Sequence, residues 1–186
     1  MRFLPRFGLA ACAVATLACA VNRAQVKSLS DPTATAIQFE PVIDTTIAAL
    51  NAIPSRCGPA NNRRARTEEF HVYRVVGTVG RVRRKRDHDI HIVLADPTRP
   101  DQRLIVESDD PGFRLNFASP YHGKLADARQ MLDALMTQAG VSQLDDLSGM
   151  TVRVAGVGFF DISHFQKGRS RSCIELHPVL TIVRWR

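Results

Sequence analysis

The sequence of 186 residues has no apolar stretch long enough for a transmembrane helix and none of the common catalytic signatures. The HExxH zinc motif, the GxSxG nucleophile motif, the P-loop and the dinucleotide-binding glycine fingerprint are all absent. Aromatic residues are only 6% of the chain, and no CxxC or Cys/His spacing indicates structural zinc. Catalysis is therefore not the expected function, and the 45% hydrophobic and 23% charged residues indicate one globular domain.

The first twenty residues have the features of a secretory signal peptide. Arg2 and Arg6 precede an apolar run at 8–20 that is too short to cross a bilayer and ends in small residues. Cleavage is expected after Ala20 or after Ala24. The sequence therefore predicts an exported protein, periplasmic or secreted, with no transmembrane span in its mature chain.

The four cysteines divide between this segment and the rest of the chain. The sequence at 16–19, TLAC, is similar to a lipobox, so lipidation of Cys19 is the alternative to its removal. Cys57 and Cys173 remain in either case. In an oxidising compartment two cysteines are expected to form one disulfide, which would tether the N-terminal segment to the last strand. Two separate buried thiols are the alternative.

Residues 21–66 are expected to form an N-terminal extension and linker. The stretch 44–53 predicts a short helix with Asp44 as its N-cap, and Pro54 ends it. The following segment, 55–66, is rich in Gly, Pro, Asn and Arg without an apolar period and is typical of a loop. The core domain is therefore expected at 67–186.

Five strands and one long helix are predicted in this core domain. Runs rich in β-branched residues predict strands at 70–82, 88–95, 103–107, 151–160 and 172–183. Apolar residues at helical spacing predict a helix at 120–139 that ends at Gly140. Gly77 and Gly80 mark expected bends or bulges of the first strand. The order β-β-β-α-β-β predicts a mainly β fold, an OB-like five-stranded Greek-key barrel with one helix between strands three and four.

Three motifs stand out along the barrel: DHDIHIVLAD at 87–96, GVGFFD at 156–161 with Gln166 and Gly168 after it, and IELHPV at 174–179. With these motifs the chain resembles a family of small exported bacterial proteins of unknown function. The resemblance implies an OB-like barrel in an exported protein and implies no reaction. The chain departs from that family in its basic run RVRRKR, where relatives have a polar or acidic connection.

Polar residues share one face of the second and fifth predicted strands, because side chains alternate across a strand. The apolar faces, expected inside the barrel, carry Ile90, Ile92 and Leu94 on one strand and Ile174, Leu176, Pro178 and Leu180 on the other. The opposite faces carry Asp87, Asp89, His91 and Val93, and then Glu175, His177 and Val179. Asp161 and His164, which follow the fourth strand, are expected near them.

This polar set has three interpretations. Carboxylates and imidazoles together suit a divalent metal ion, which could activate water for hydrolysis. The same residues could bind a polar ligand. They could also form a structural network in which each charged group satisfies another, and Asp161 could simply cap the next turn.

Five cations occupy the first predicted hairpin: Arg81, Arg83, Arg84, Lys85 and Arg86. Hairpin loops at this position of OB-folds bind ligands, and Tyr73 on the same strand could stack on a base. Nucleic acid and an anionic envelope component such as lipid or lipopolysaccharide are both candidate partners. A solvated charged turn is the alternative.

These observations favour an exported, non-catalytic OB-like binding module that contacts a polar or anionic partner. A metal-dependent hydrolase, phosphodiesterase-like or nuclease-like, is the first alternative. A purely structural envelope protein is the second.

Overall fold

A computed structural model of the chain describes residues 23–54, 57, 63–162 and 167–186. The predicted signal peptide at 1–20, the lipidation candidate Cys19 and the candidate site residue His164 lie outside the described residues. The strands are β1 (Gln38–Asp44), β2 (His71–Arg84), β3 (Ile90–Ala95), β4 (Arg103–Ser108), β5 (Thr151–Phe160) and β6 (Ile174–Arg184). The α-helices are α1 (Arg23–Lys27), α2 (Ile47–Asn51), α3 (Arg114–Phe117) and α4 (His122–Ala139).

The last five strands close into a barrel. Their hydrogen-bonded order is β2-β3-β4-β6-β5, and β5 pairs with β2 to complete the ring. All of these pairings are antiparallel except β4 with β6. Because α4 lies between β4 and β5 in the chain, the predicted OB-like barrel is confirmed, and each predicted strand and the long helix end within two residues of their observed limits.

The barrel interior is filled by the faces that the alternation pattern identified. Ile90, Ile92 and Leu94 of β3 are buried in one cluster with Leu132 and Leu135 of α4. Gly140 ends the helix in the left-handed conformation, with φ of 69°, as a C-terminal glycine does. The apolar period of the sequence therefore locates both the inner face of the strand and the packed face of the helix.

Two glycines allow the barrel to close tightly. The pairing of β2 with β3 shifts by one residue between Val79 and Arg81, so Gly80 lies at a bulge, as expected. A Cβ atom on Gly158 would stand only 2.3 Å from the carbonyl oxygen of Glu68, so no larger residue fits there without moving the backbone.

The predicted alternation is wrong in the second half of β6. Two register shifts between β5 and β6 insert extra residues, so Val179 and Ile182 point into the main core although the pattern assigned Val179 to the polar face. Leu180, assigned to the interior, packs instead against a second cluster that contains Val72 and Ala155. A bulge reverses the parity of every residue that follows it, and the sequence gives no sign of its position.

The N-terminal extension adds a sixth strand that the sequence did not predict. β1 pairs in parallel with β2, and its residues are mostly exposed, so it lacks the apolar alternation of a packed strand. Asp44, predicted to cap α2, belongs to β1, where its carboxylate accepts two hydrogen bonds from Arg74 at 2.6 Å each. Thr46 is the N-cap instead, since its hydroxyl accepts from the amide of Ala49.

The extension is fixed to the barrel by a buried arginine and a disulfide. Arg64 donates to the carbonyl oxygens of Val26 and Glu69 and lies 3.4 Å from the carboxylate of Asp31. The predicted bond between Cys57 and Cys173 is present, with the two Cα atoms 5.4 Å apart. In the part of the chain that is described, no helix has both the length and the apolar character needed to cross a bilayer.

Candidate functional site

Charged side chains from five segments converge on one side of the barrel and form what we call the buried polar cluster. Cross-strand pairing places His91 of β3 opposite Glu107 of β4, and β6 lies beside β4 with Val106 opposite Leu176. The cluster consists of Arg23, Lys27, Asp89, His91, Glu107, Asp109, Asp161, Glu175 and His177. Strand adjacency therefore collects residues that are far apart in the sequence.

Glu107 is the hub of this cluster. Its Oε1 lies 2.7 Å from Nδ1 of His91, and its Oε2 lies 3.1 Å from Nδ1 of His177. The ammonium groups of Lys27 and Lys85 are 3.6 and 3.9 Å from its carboxylate oxygens. Burial opposes the ionisation of Glu107, but its partners outweigh burial, His177 first, and hold its pKa below the usual range.

His177 lies between two carboxylates. Its Nε2 is 2.9 Å from Oδ1 of Asp109 on the side away from Glu107, and the ring is completely buried. Neither nitrogen makes a well-aligned hydrogen bond to the described residues, so the two contacts act as ion pairs. Complete burial disfavours the imidazolium, but Asp109 and Glu107 raise the pKa of His177 to about 10, and the ring is positively charged at neutral pH.

Two other carboxyl groups of the cluster retain protons at unusually high pH. Burial, followed by repulsion from Glu107 and Asp161, raises the pKa of Glu175 to about 8. Burial and the neighbouring Asp109 raise the pKa of Asp89 to about 7. The cluster is thus kept close to electroneutrality by protonation as well as by ion pairing.

Helix α1 covers the cluster. Arg23 donates to the carboxylate of Asp161 at 2.7 Å and stacks over the ring of Phe159 with 4.3 Å to its centroid. Lys27 is largely buried, which disfavours its charge, but Glu107, Asp161 and Glu175 raise its pKa overall. The polar face of the barrel is therefore closed by the N-terminal extension, which is the arrangement expected of a bracing network.

Glu175→Gln is expected to remove one source of instability at alkaline pH. The folded protein keeps the Glu175 proton up to about pH 8, whereas the unfolded chain releases it near the ordinary pKa of 4.5. Stability therefore falls as pH rises through that window. The variant should match the wild type near pH 4.5 and melt several degrees higher at pH 9.

Melting temperatures measured by circular dichroism between pH 4.5 and pH 9 check this prediction. Glu40→Gln, at an exposed glutamate of β1, is the matched control and should follow the wild-type curve. A constant difference between Glu175→Gln and wild type across the whole range would mean that Glu175 is ionised in the folded protein.

The structure places the predicted site residues in three groups. Asp89, His91, Asp161, Glu175 and His177 all belong to the buried polar cluster. Asp87 lies in the hairpin loop and accepts from the amide of Asp89, which is a turn contact. Tyr73 is buried in the main core and offers no exposed ring for stacking.

Sequence reasoning missed Glu107, Asp109, Arg23 and Lys27. The signal for Glu107 was present, because a hairpin closed by Ala95 and Arg103 necessarily sets His91 opposite Glu107. Arg23 and Lys27 could not be found in this way, since they reach the cluster from a helix outside the barrel.

A basic pocket of about 590 Å³ opens beside the cluster, where the β2–β3 hairpin meets the loop that joins β5 to β6. Arg83 is directly opposite His91 across the strands, and Arg81 is opposite Val93, so these side chains share one face. The pocket is lined by Arg81, Arg83, Arg84, Lys85, Arg86, His91, Val93 and Lys167. None of these lining residues is acidic, and all five predicted cations are present with Lys167 added.

Most of this positive charge is not neutralised inside the protein. Among the described residues, none forms an ion pair with Arg81, Arg83, Arg84, Arg86 or Lys167, and Lys85 reaches only Glu107. His91 extends the pocket inward, because its Nδ1 is held by Glu107 while its ring lines the pocket. The basic pocket is thus a concentration of like charges that an anion would stabilise.

A second pocket of about 640 Å³ lies on the other side of the hairpin, against α4. Arg83, Arg84 and Arg129 line it together with Asp133 and Asp145. Because its acidic and basic groups are mixed, it does not have the uniform charge of the basic pocket.

Comparison with known proteins adds little to this geometry. No family model and no curated protein matches the chain, so the family resemblance remains a prediction. A protein described as an aspartyl-tRNA synthetase from Leishmania major Friedlin aligns with 79% of this chain at 14% identity and a TM-score of 0.46, and the chain spans only 21% of that protein. An OBody bound to hen egg-white lysozyme aligns with 64% of the chain and 87% of its own length, at 11% identity and a TM-score of 0.36.

Proposed function

We propose that the protein is an exported OB-like binding module that holds a phosphate-bearing ligand in its basic pocket. The observation that carries the proposal is the convergence of six cations on one pocket, from the end of β2, the β2–β3 turn and the β5–β6 loop. The described lining residues include no acidic side chain. OB barrels in general bind ligands on this face, between the first hairpin and the loop before the last strand. Ligand binding on this face is a property of the fold class, whereas the charge of the pocket is a property of this chain and supports the proposal independently.

The composition of the pocket favours recognition of charge over recognition of bases. Apart from His91, none of the described residues that line it is aromatic, and Tyr73 is buried elsewhere. Binding to single strands usually combines a basic groove with aromatic stacking platforms. Four of the lining residues, Arg81, Arg83, Arg84 and Arg86, are arginines, whose forked donors suit phosphate oxygens. The proposed ligand is therefore a polyanion whose phosphates supply the contacts.

Export is the second part of the proposal. The Cys57–Cys173 bond suits an oxidising compartment, and the predicted signal peptide would direct the chain there. The contacts of Arg23 with Asp161 and Phe159 favour processing after Ala20, because cleavage after Ala24 would remove Arg23.

Arg81→Glu combined with Arg83→Glu is expected to weaken binding of a fluorescein-labelled oligo-dT by roughly tenfold or more. The salt slope of binding should fall at the same time, because two phosphate contacts are lost. Arg184→Glu with Arg186→Glu changes the net charge equally at exposed positions outside the pocket, and it should change affinity far less.

Fluorescence anisotropy at several salt concentrations is the measurement. Competition by vesicles of phosphatidylglycerol, and separately by lipopolysaccharide, distinguishes a nucleic-acid phosphate from an envelope phosphate. Equal loss of affinity in the pocket and control variants would show that net charge, not the basic pocket, attracts the ligand.

A further inference from the structure

Asp89, Asp109 and His177 bring three potential metal ligands together inside the buried polar cluster. One carboxylate oxygen from each aspartate and one ring nitrogen of His177 all lie within 4.8 Å of one another. A tetrahedral zinc site with bonds of about 2.1 Å needs ligand atoms about 3.4 Å apart. Small side-chain rotations are therefore enough to bring the three atoms around one ion.

Asp109 supplies an independent reason to look for a cation here. The residue is 2% exposed, and neither of its carboxylate oxygens accepts a hydrogen bond from any described residue. Oδ1 has the ion-pair contact with His177, whereas Oδ2 has no ion pair in the described part of the chain. A buried carboxylate oxygen without a donor is rare in folded proteins, and a bound metal ion would satisfy it.

The far side of His177 has the surroundings that a metal-bound histidine usually has. Nε2 faces Asp109, and Nδ1 faces Oε2 of Glu107 at 3.1 Å. Metal-binding histidines commonly donate their second N–H to a carboxylate, which fixes the ring and the tautomer. Glu107 is in turn held by His91 at 2.7 Å, so this support is itself braced.

A competing group in the same cluster has a lysine ammonium beside it. Ligand atoms of Glu107, Glu175 and His177 also lie within 4.8 Å of one another, but the ammonium of Lys27 is 3.6 Å from Glu107. The group around Asp109 has no such ammonium. Arg129 donates to the carbonyl oxygens of His88 and Ser108 and forms no ion pair with the described carboxylates.

Asp89 gives the first group its connection to solvent. It is 7% exposed, the most accessible of the three residues, and it lies where the β2–β3 hairpin turns into β3. One of its oxygens accepts from the amide of Asp110, which fixes the carboxylate beside Asp109.

We propose that Asp89, Asp109 and His177 form a binding site for one divalent transition-metal ion, with Zn²⁺ as the preferred ion and water as its remaining ligand. Two carboxylates and one imidazole are a donor set that suits Zn²⁺ and excludes metals that require thiolate ligands. The site shares no residue with the basic pocket, so metal binding can be tested independently of anion binding.

The test is calorimetric titration of the mature, untagged protein with Zn²⁺ after treatment with chelator. We expect the binding of one ion per chain. Asp109→Asn should weaken binding by roughly tenfold or more, and Asp89→Asn should do the same. Asp87→Asn, in the same hairpin, and Glu175→Gln, in the competing group, should leave the affinity unchanged.

Thermal melting of each variant without metal confirms that it folds, and the rise in melting temperature on adding Zn²⁺ gives a second readout. No binding by the wild type overturns the proposal. So does binding that survives Asp109→Asn and Asp89→Asn, or binding that is lost in Glu175→Gln, because the ion would then lie elsewhere.

Discussion

Glu107→Ala is expected to lower the free energy of unfolding by about 3–5 kcal/mol, the usual cost of removing one partner from a buried ion-pair network. Glu107 is 3% exposed and neutralises His177, which is completely buried, and Lys27. Without it, His177 and Lys27 keep their charges in a poorly hydrated environment or must lose protons, and either outcome costs free energy.

Urea denaturation followed by circular dichroism measures this loss. Glu40→Ala, at an exposed glutamate of β1, is the control and should change stability by less than about 0.5 kcal/mol. The loss should shrink on acidification, because the pKa of Glu107 lies below its usual range in the folded protein and the stability it provides decreases progressively as pH falls from the unfolded pKa towards the folded one. A loss below about 1 kcal/mol at pH 7 would show that the cluster is hydrated.

The disulfide is expected to have a comparable effect. Replacing Cys57 and Cys173 together by serine should lower the free energy of unfolding by about 4–5 kcal/mol, since the bond joins residues separated by 116 positions. A long closed loop restricts the unfolded chain strongly, which raises the free energy of that state. The bond also joins Cys57 to the residue directly before β6.

Denaturation of the oxidised protein, the reduced protein and the double serine variant tests this expectation. The reduced protein and the variant should unfold at similar urea concentrations, both well below the oxidised protein. Dithiothreitol should not change the variant, which is the control for other effects of the reductant. Equal stability of all three would mean that the loop is already restricted in the unfolded chain.

Local patterns were enough to predict most of the barrel. The bulge at Gly80, the alternation of Ile90, Ile92 and Leu94, and the stop at Gly140 depend only on backbone preferences and on the period of apolar residues. The same rules failed at Val179 and Leu180, because bulges in β6 changed the side of the sheet that each residue faces. They also missed β1, whose exposed residues have no apolar alternation.

About half of the residues of the buried polar cluster could be predicted from local sequence patterns. Asp89, His91, Glu175 and His177 were identified because acidic and histidine residues are unusual on strands of this kind. The β3–β4 hairpin alone sets Glu107 opposite His91, but the contacts of Glu107 and Asp109 with His177 follow only when β4 is placed between β3 and β6. The prediction for Tyr73 was wrong. Tyr73 lies on the same strand as the basic run, which suggested a stacking role, but its side chain is buried in the core.

The sequence by itself determined the fold class, the limits of the five barrel strands, the disulfide pair and the position of the basic run, because these follow from local periodicity, turn chemistry and cysteine count. Only the tertiary structure decided that Lys27 lies over Glu107, that Lys167 completes the basic pocket, and that His177 is enclosed by two carboxylates. The physical reason is range: local conformation is set by neighbouring residues, whereas burial and ion pairing act between segments that only the closed barrel brings into contact.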